Sequence, residues 1–208
     1  MDIVAPKIEK YLIDLLPERD EALAEMEALA AKTGFPIIGP LVGRLLGQLT
    51  ILSGARRILE LGSGFGYSAY WFAKAVGGDG KVICTDADPK NREQALGFFK
   101  QSGVLEKVDF RVGNALKIIE QLQGDFDIIL NDIDKEEYPE AFRRAVPRLK
   151  KGGLLITDNV IRSGRVVEEN PDASTEAIME FNRLIYSTNE LWTTIIPLRD
   201  GVSVSLKL

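Results

Sequence analysis

Two short acidic segments carry residue types that suit a metal ion, and each of them follows an apolar run. The first segment contains Asp132 and ends at Lys135, and the second is the pair Asp158 and Asn159. If the two apolar runs are neighbouring parallel strands, their ends lie about 5 Å apart. Carboxylate and amide oxygens are the ligands that hard divalent cations prefer. The sequence therefore predicts a site for Mg²⁺, with Mn²⁺ or Ca²⁺ as other occupants, formed by Asp132, Asp158 and Asn159.

A glycine-rich loop, Glu60–Ser68, lies between the first predicted strand and the first long helix of the sheet region. Glycines let a ligand approach the backbone N–H groups at the start of a helix. The spacing Gly62, Gly64, Gly66 differs from the Gly-x-Gly-x-x-Gly fingerprint of dinucleotide-binding proteins. Taken alone, the loop is also compatible with a plain tight turn.

Asp86 ends the second predicted strand, where a carboxylate can accept hydrogen bonds from both hydroxyls of a ribose. Asp88 is interpreted as the N-cap of the helix that begins at Pro89. The turn Val112–Ala115, after the third strand, is in a position to border an adenine ring. These features suit NAD or S-adenosylmethionine, and Glu60 favours the second, because a carboxylate repels a pyrophosphate and attracts a methionyl ammonium group.

The chain contains no histidine and one cysteine, Cys84. The absence of imidazole excludes Ser-His-Asp triads, Cys-His dyads and histidine-liganded zinc hydrolases. A single cysteine excludes an internal disulfide and a cysteine-liganded zinc site. Any general base must therefore be a lysine, an aspartate, a glutamate or a tyrosine.

The bulk composition indicates a globular protein of 208 residues with a net charge of −5. Lysine and arginine are scattered without a basic stripe, so we expect no nucleic-acid partner. Charged residues interrupt the first 16 positions, and no apolar run approaches the roughly 20 residues that span a membrane. We therefore expect a cytoplasmic protein that is not inserted in a membrane.

From residue 57 onward, short β-rich runs alternate with segments of helical period, which is typical of a parallel sheet built from βαβ units. The predicted strands are Arg57–Leu61, Lys81–Thr85, Val108–Val112, Phe126–Asn131 and Leu154–Thr157. The predicted helices are Tyr67–Val76, Pro89–Ser102, Ala115–Leu122, Tyr138–Leu149 and Thr175–Ser187, with Gly103 and the pair Gly152 and Gly153 at helix exits.

The two ends of the chain complete the predicted architecture. Trp192–Pro197 and Val202–Leu206 are β-rich and are joined by a segment with Asp-Gly, which is a hairpin signal. Residues 1–55 are interpreted as a helical cover, with Asp20 as an N-cap and Gly34 as a helix stop. The prediction is one α/β domain, 1–208: a doubly wound Rossmann-like seven-stranded sheet, mostly parallel, with an antiparallel C-terminal edge hairpin and helices on both faces.

Several of these motifs, in this order, resemble the cation-dependent O-methyltransferases of the caffeoyl-CoA and catechol type. The resemblance extends from about Ile37 to the C-terminus, with residues 56–208 as the core that binds S-adenosylmethionine. The motifs are Glu60–Ser68, Asp86, Asn131–Lys135 with Tyr138, Asp158–Val160 and Pro197–Gly201. The implied activity is transfer of a methyl group from S-adenosylmethionine to a hydroxyl of a catechol-like small molecule, and the implied assembly is a homodimer.

The resemblance also implies roles for individual residues. Lys135 matches the lysine proposed as general base, and Asp132, Asp158 and Asn159 match the metal ligands. The residues that the resemblance assigns to S-adenosylmethionine are Glu60, Gly62, Gly64, Gly66, Ser68, Asp86, Ala115 and Asp132.

The sequence departs from the family pattern at positions expected to contact the acceptor. Ile38 lies in a segment that matches the active-site lining, but Gly39 stands where a hydroxyl residue is common and Leu41 where an acid is common. Arg162 stands where an aromatic residue walls the acceptor pocket in the related plant enzymes. We therefore expect Arg162, together with Arg165, to favour an acceptor that bears a carboxylate or a phosphate; the alternative is a solvated surface arginine without such a role.

Two other classes of function compete with this interpretation. A nicotinamide-dependent oxidoreductase would use the same sheet and ribose acid, although the glycine spacing and Glu60 disfavour it. A catalytically degenerate methyltransferase fold, kept as a binding module, would account for Gly39, Leu41 and Arg162.

Overall fold

The computed structural model describes residues 2–208, in which seven strands and eight α-helices form. The strands are β1 (Arg57–Leu61), β2 (Lys81–Asp86), β3 (Val108–Val112), β4 (Phe126–Asn131), β5 (Leu149–Thr157), β6 (Leu191–Ile196) and β7 (Val202–Lys207). The helices are α1 (Pro6–Asp14), α2 (Glu21–Thr33), α3 (Gly39–Ser53), α4 (Tyr67–Ala75), α5 (Pro89–Gln101), α6 (Ala115–Gln121), α7 (Tyr138–Ala145) and α8 (Ala173–Ser187).

All seven strands belong to one mixed sheet in the order β3-β2-β1-β4-β5-β7-β6. The first five strands are parallel, whereas β7 is antiparallel to both β5 and β6. The predicted fold class, including the antiparallel hairpin at one edge, is confirmed. The strand order reverses between β1 and β4, and in sheets of this kind ligands bind beyond the carboxyl ends of the strands at such a point.

The sheet has a hydrophobic layer on each face, because apolar residues along its central strands point alternately to the two sides. In β1, Ile58 packs in the layer with Leu46, Phe72 and Phe99, under the helices α3, α4 and α5. The next residue, Leu59, packs in the opposite layer, under α6, α7 and α8. Helices therefore cover both faces, and polar side chains reach a ligand most readily at the strand ends.

The local signals that end the helices agree with the prediction. Asp20 accepts a hydrogen bond from the Leu23 backbone at 3.1 Å, and Asp88 caps α5 through Lys90 at 2.8 Å. Gly34 ends α2 with a left-handed φ of 71°. The three interpretations as helix caps are confirmed.

The segment between α7 and the centre of β5 corrects the prediction. The helix predicted over Tyr138–Leu149 ends at Ala145, and β5 begins at Leu149 instead of Leu154. Leu149 already pairs with Phe126, and a bulge separates this pairing from the rest of the ladder. Gly152 and Gly153, predicted at a helix exit, lie inside β5, where Gly152 adopts a φ of 80° that suits the bulge.

The predicted helical cover of residues 1–55 corresponds to α1, α2 and α3. The helix α3 packs closely on α4, since a Cβ at Gly43 would fall 2.2 Å from the Trp71 ring nitrogen. In the described part of the chain, no helix has the length and apolar character needed to cross a membrane.

Candidate active site

A cleft of about 1080 Å³ opens beyond the carboxyl ends of the parallel strands, at the point where the strand order reverses. Backbone hydrogen bonds join the loops that leave these strands: Asp132 N–H donates to Leu61 O at 2.9 Å and Ser63 N–H to Thr85 O at 2.9 Å. Most of the predicted site residues line this one cleft. They are Ile38, Gly62, Gly64, Ser68, Asp86, Ala115, Asp132, Lys135, Asp158 and Asn159.

The glycines of the loop after β1 are required by close packing. A Cβ at Gly62 would fall 2.3 Å from the backbone oxygen of Asp132, and Gly62 has a left-handed φ of 82°. A Cβ at Gly66, with a φ of 89°, would collide with the Phe99 ring at 2.6 Å. The first glycine therefore lets the loop touch the strand end that carries Asp132, and the third lets α4 start against α5.

Glu60 lies behind the cleft and is completely buried. The hydroxyls of Ser63 and Ser68 donate hydrogen bonds to its two carboxylate oxygens, and both serines line the cleft. Burial raises the pKa of Glu60 to about 8, and the negative charges of Asp132 and Asp86 act in the same direction. A cation in the cleft would favour the charged form of this acid and so lower its pKa.

Asp86 is held at the end of β2 by three N–H donors. They are the backbone groups of Gly64 at 2.9 Å and Asp88 at 2.8 Å, and the side-chain amide of Asn91 at 2.9 Å. The bond to Gly64 links this acid directly to the glycine loop. Asn91 had no role in the sequence analysis, because nothing in the pattern of α5 distinguishes it from other polar residues.

Asp132, Asp158 and Asn159 follow the ends of β4 and β5 and line the cleft together. Asp158 is 3% exposed, and its Oδ1 atom has no hydrogen-bond partner among residues 2–208. Its Oδ2 atom accepts from the Asn159 amide at 3.3 Å. Burial, followed by the charge of Asp132, raises the pKa of Asp158 to about 7, and burial raises that of Asp132 against the opposing charge of Lys135.

The donor set suits a hard cation. Two repelling carboxylates with one unpartnered oxygen gain most from a positive charge between them. Within residues 2–208 no cluster of three or more His, Cys, Asp or Glu side chains has the arrangement of a metal site. The candidate here has two carboxylates, and its third oxygen donor is the amide of Asn159.

Lys135 lies between an acid of this set and a buried tyrosine. Its Nζ atom is 3.1 Å from Asp132 Oδ1 and 2.6 Å from the Tyr138 hydroxyl, which itself donates to the backbone oxygen of Asp158 at 2.8 Å. Burial raises the pKa of Tyr138 well above its usual range, so its hydroxyl stays protonated. Tyr138 therefore connects Lys135 to the second strand end, a role that the sequence analysis did not assign.

Arg162 does not line the cleft, contrary to the expected position in the wall of the acceptor pocket. Its guanidinium donates to Asp172 at 3.3 Å, and Arg165 pairs with the same carboxylate at 2.9 Å. Asp172 also caps α8 through Thr175. The two arginines therefore hold the start of α8.

A different arginine, Arg199, lines the cleft. It lies between β6 and β7, in the segment Pro197–Gly201, for which the sequence predicted a hairpin turn and a family motif but no role for the arginine. Its Nη1 atom donates to the backbone oxygen of Ile37 at 2.6 Å. A contact between positions 162 residues apart leaves no trace in local sequence patterns.

Comparisons with known proteins agree with this geometry. A family model described as O-methyltransferase matches residues 17–208. A catechol O-methyltransferase from Niastella koreensis is 34% identical over 96% of this chain and 96% of that protein. A caffeoyl-CoA O-methyltransferase from Eucalyptus gunnii is 30% identical over 96% of this chain and 86% of that protein.

Solved structures show the same relationship. The O-methyltransferase from Bacillus cereus in complex with SAH superimposes with a TM-score of 0.89 at 28% identity, over 97% of each chain. TomG from Streptomyces achromogenes, in complex with SAM, gives 0.88 at 29% identity over 97% of this chain and 96% of that one. These matches do not favour a nicotinamide oxidoreductase or a degenerate binding module. The chain belongs to the O-methyltransferase family of the catechol and caffeoyl-CoA type and is an S-adenosylmethionine-dependent enzyme.

Proposed function

We propose that the chain is a divalent-metal-dependent O-methyltransferase that methylates one hydroxyl of a vicinal dihydroxy aromatic acceptor. The observation that carries the proposal is the buried Oδ1 atom of Asp158, which has no hydrogen-bond partner within residues 2–208 and lies in the same cleft as Asp132 and the glycine loop. The names of the catechol and caffeoyl-CoA relatives support this class of acceptor.

In this proposal Asp132, Asp158 and Asn159 hold the metal ion, and Mg²⁺ is the expected occupant. A divalent cation bound there would lower the pKa of the acceptor hydroxyl and fix its orientation. Burial raises the pKa of both carboxylates, and a positive charge between them would favour their ionised forms. Tyr138 keeps Asp158 in place by donating to its backbone oxygen.

For S-adenosylmethionine, which supplies the methyl group, we propose two anchoring acids. Glu60 neutralises the methionyl ammonium group through the layer formed by Ser63 and Ser68. Asp86, oriented by three N–H donors, accepts hydrogen bonds from the ribose hydroxyls. The remaining contacts are proposed for Gly62, Gly64, Gly66, Ala115 and the backbone of Asp132.

We propose Lys135 as the general base that takes the proton from the acceptor hydroxyl. Its amine lies 3.1 Å from Asp132 Oδ1, so it reaches the space next to the metal ligands. The Tyr138 hydroxyl, which already donates to Asp158, accepts from Lys135 and orients the amine. Ile38, which is buried and lines the cleft, forms part of the apolar wall for the ring. The single domain 1–208, the homodimer and the cytoplasmic location stay predictions.

The proposal is tested by methyl transfer to catechol and to caffeoyl-CoA, with Mg²⁺ and with a chelator, in the wild type and in Asp158→Ala. We expect activity that requires the ion and is lost in the variant, because one of two carboxylate ligands is removed. Asp109→Asn serves as a matched control, since Asp109 is an exposed acid of β3 whose one ion pair among residues 2–208 is with Arg111.

Direct binding of Mn²⁺, followed by electron paramagnetic resonance, gives a readout that does not depend on turnover. We expect binding by the wild type and the control but not by Asp158→Ala. Full activity in the presence of chelator, or Mn²⁺ binding that survives the loss of Asp158, would contradict the proposal.

A further inference from the structure

Arg199 is a cleft residue with unused hydrogen-bonding capacity. A guanidinium group carries five N–H donors. Within residues 2–208, the only hydrogen bond of its side chain is the one from Nη1 to Ile37 O at 2.6 Å. Glu9, on α1, has its carboxylate 3.9 Å from Nε, and both side chains are more than one-third exposed. Such an exposed pair contributes little and exchanges readily for a better partner.

The loop that carries Arg199 is fastened to the segment that follows the proposed metal ligands. Val160 N–H donates to Gly201 O and Ile161 N–H to Asp200 O, each at 3.0 Å. Arg199 itself has a left-handed φ of 49°, a conformation that a residue with a Cβ adopts only at a cost. The turn therefore holds an arginine in a strained conformation at a fixed position relative to Asp158 and Asn159.

Gly39 provides the space that the guanidinium occupies. A Cβ at this position would lie 3.1 Å from Arg199 Nη1 and 3.3 Å from Cζ, which is closer than ordinary contact. A side chain at position 39 would therefore require the guanidinium, which is bonded to Ile37, to shift by a few tenths of an ångström. Arg199 lines the cleft, and the absence of a side chain at Gly39 leaves room for its guanidinium.

The charge of Arg199 acts on the acids of the site. Burial raises the pKa of Asp132 and of Asp158, and the positive charge of Arg199 acts in the opposite direction on both. The guanidinium is therefore within electrostatic reach of the proposed metal ligands. A flat aromatic acceptor whose hydroxyls face these ligands brings its other substituents to the wall of the same cleft.

We infer that Arg199 is a specificity-determining residue that binds a carboxylate on the side chain of the aromatic acceptor. A guanidinium fork matches a carboxylate in geometry and charge, and the pair can form two parallel charge-assisted N–H···O hydrogen bonds. The inference rests on the proposed function and names its substrate class, an anionic catechol. It transfers to Arg199 the anion recognition that the sequence indicated for Arg162.

The test compares caffeate with its neutral methyl ester in Arg199→Gly and Arg199→Lys. Glycine suits the left-handed φ, so this variant removes the charge without straining the turn. We expect the ratio of kcat/KM for acid over ester to fall at least about tenfold in Arg199→Gly and less in Arg199→Lys. Arg143→Ala, which removes an exposed ion-paired arginine outside the cleft, should leave the ratio unchanged.

A double-mutant cycle with Gly39→Ala tests the contact itself. The added Cβ should lower the acid-to-ester ratio in the Arg199 protein but not in Arg199→Gly. The strain of a left-handed alanine is the same in both backgrounds and cancels in the cycle. If Gly39→Ala changes the acid-to-ester ratio equally in both backgrounds, the assignment of the guanidinium as the group that binds the carboxylate is overturned.

Calorimetric binding of caffeate and its ester, with S-adenosylhomocysteine and with or without Mg²⁺, separates this inference from the proposed function. Binding of the acid that depends on Arg199, without methyl transfer to any catechol, upholds the inference and rejects the function. Metal-dependent turnover with an unchanged acid-to-ester ratio upholds the proposed function and rejects the inference about Arg199. If Arg199→Gly loses only the turnover of caffeoyl-CoA, the bound anion is a phosphate and the carboxylate assignment is overturned. A failure of caffeate to bind would also overturn the carboxylate assignment.

Discussion

Binding of the cofactor should release a proton from Glu60. This carboxyl is buried, and its pKa of about 8 keeps it mostly protonated at pH 7 in the free protein. The methionyl ammonium, placed against Ser63 and Ser68, brings a positive charge next to the acid. An opposite charge at this range lowers a carboxyl pKa by about 1–3 units. The charged form of Glu60 is therefore favoured only in the complex.

The size of the effect follows from these values. If the ammonium lowers the pKa of Glu60 by about 2 units, binding at pH 7 releases about 0.8 proton. The affinity then rises about 25-fold between pH 6 and pH 8, which corresponds to about 1.9 kcal/mol. The affinity must rise with pH, because at low pH binding requires the deprotonation of Glu60, which costs free energy.

The assay is isothermal titration with S-adenosylhomocysteine at several pH values, in buffers of different ionisation enthalpy and with chelator present. Glu60→Gln keeps a polar group of the same shape but cannot release a proton. Both proteins share any titration of the ligand, so the difference between them isolates Glu60. A wild-type affinity that is constant from pH 6 to pH 8, or proton release that persists in Glu60→Gln, would refute the reasoning.

Three further perturbations test the rest of the site. Asp158→Asn should be more stable than the wild type at pH 8 in chelator, by up to about 4 kcal/mol. The raised pKa of Asp158 means that the wild type loses stability as the pH rises from about 4 through about 7. Urea unfolding at pH 5 and pH 8 measures this difference in stability. Tyr138→Phe should lower kcat about tenfold and lower the free energy of unfolding by about 1–3 kcal/mol. The reason is that Lys135 and the backbone oxygen of Asp158 lose the hydroxyl that both of them contact. A variant with the kcat of the wild type would contradict this prediction. Gly62→Ala should weaken both cofactor binding and Mn²⁺ binding, because its Cβ collides with the Asp132 backbone; loss of only one of the two would show that the loop and the metal ligands move independently.

The sheet and the position of the cleft were predictable because both follow from local rules. Buried apolar runs of five or six residues reveal parallel strands, and polar residues directly after them must lie at one edge of the sheet. For this reason the sequence alone predicted that Asp86, Asp132 and Asp158 lie together at this edge, where they line the cleft. The start of β5 was missed because its first five residues, Leu149–Gly153, read as a helix end followed by a glycine turn. Their pairing with β4 depends on a bulge that no periodicity reveals.

The choice between two arginines required the three-dimensional structure. Arg162 lies three residues after a proposed metal ligand, so sequence proximity favoured it as an acceptor contact. Its charge is instead shared with the cap of α8 through Asp172. Arg199 lies beside the same cleft because β7 inserts next to β5, which brings a hairpin turn from the end of the chain against Ile37. Long-range topology, rather than residue type, decides which arginine lines the cleft.

The glycine loop after β1 and the end of β4, which carries the proposed metal ligand Asp132, are held together by close contacts. The backbone of Asp132 donates to Leu61 O and also contacts Gly62 so closely that no Cβ fits between them. The glycine loop and Asp132 therefore cannot shift separately without breaking the hydrogen bond between Asp132 N–H and Leu61 O. In-line methyl transfer needs the methyl donor and the acceptor oxygen at a defined separation, and small displacements are costly in rate. In the proposed mechanism, the strand order that puts β1 beside β4 thus sets the distance between the methyl donor and the acceptor before either of them binds.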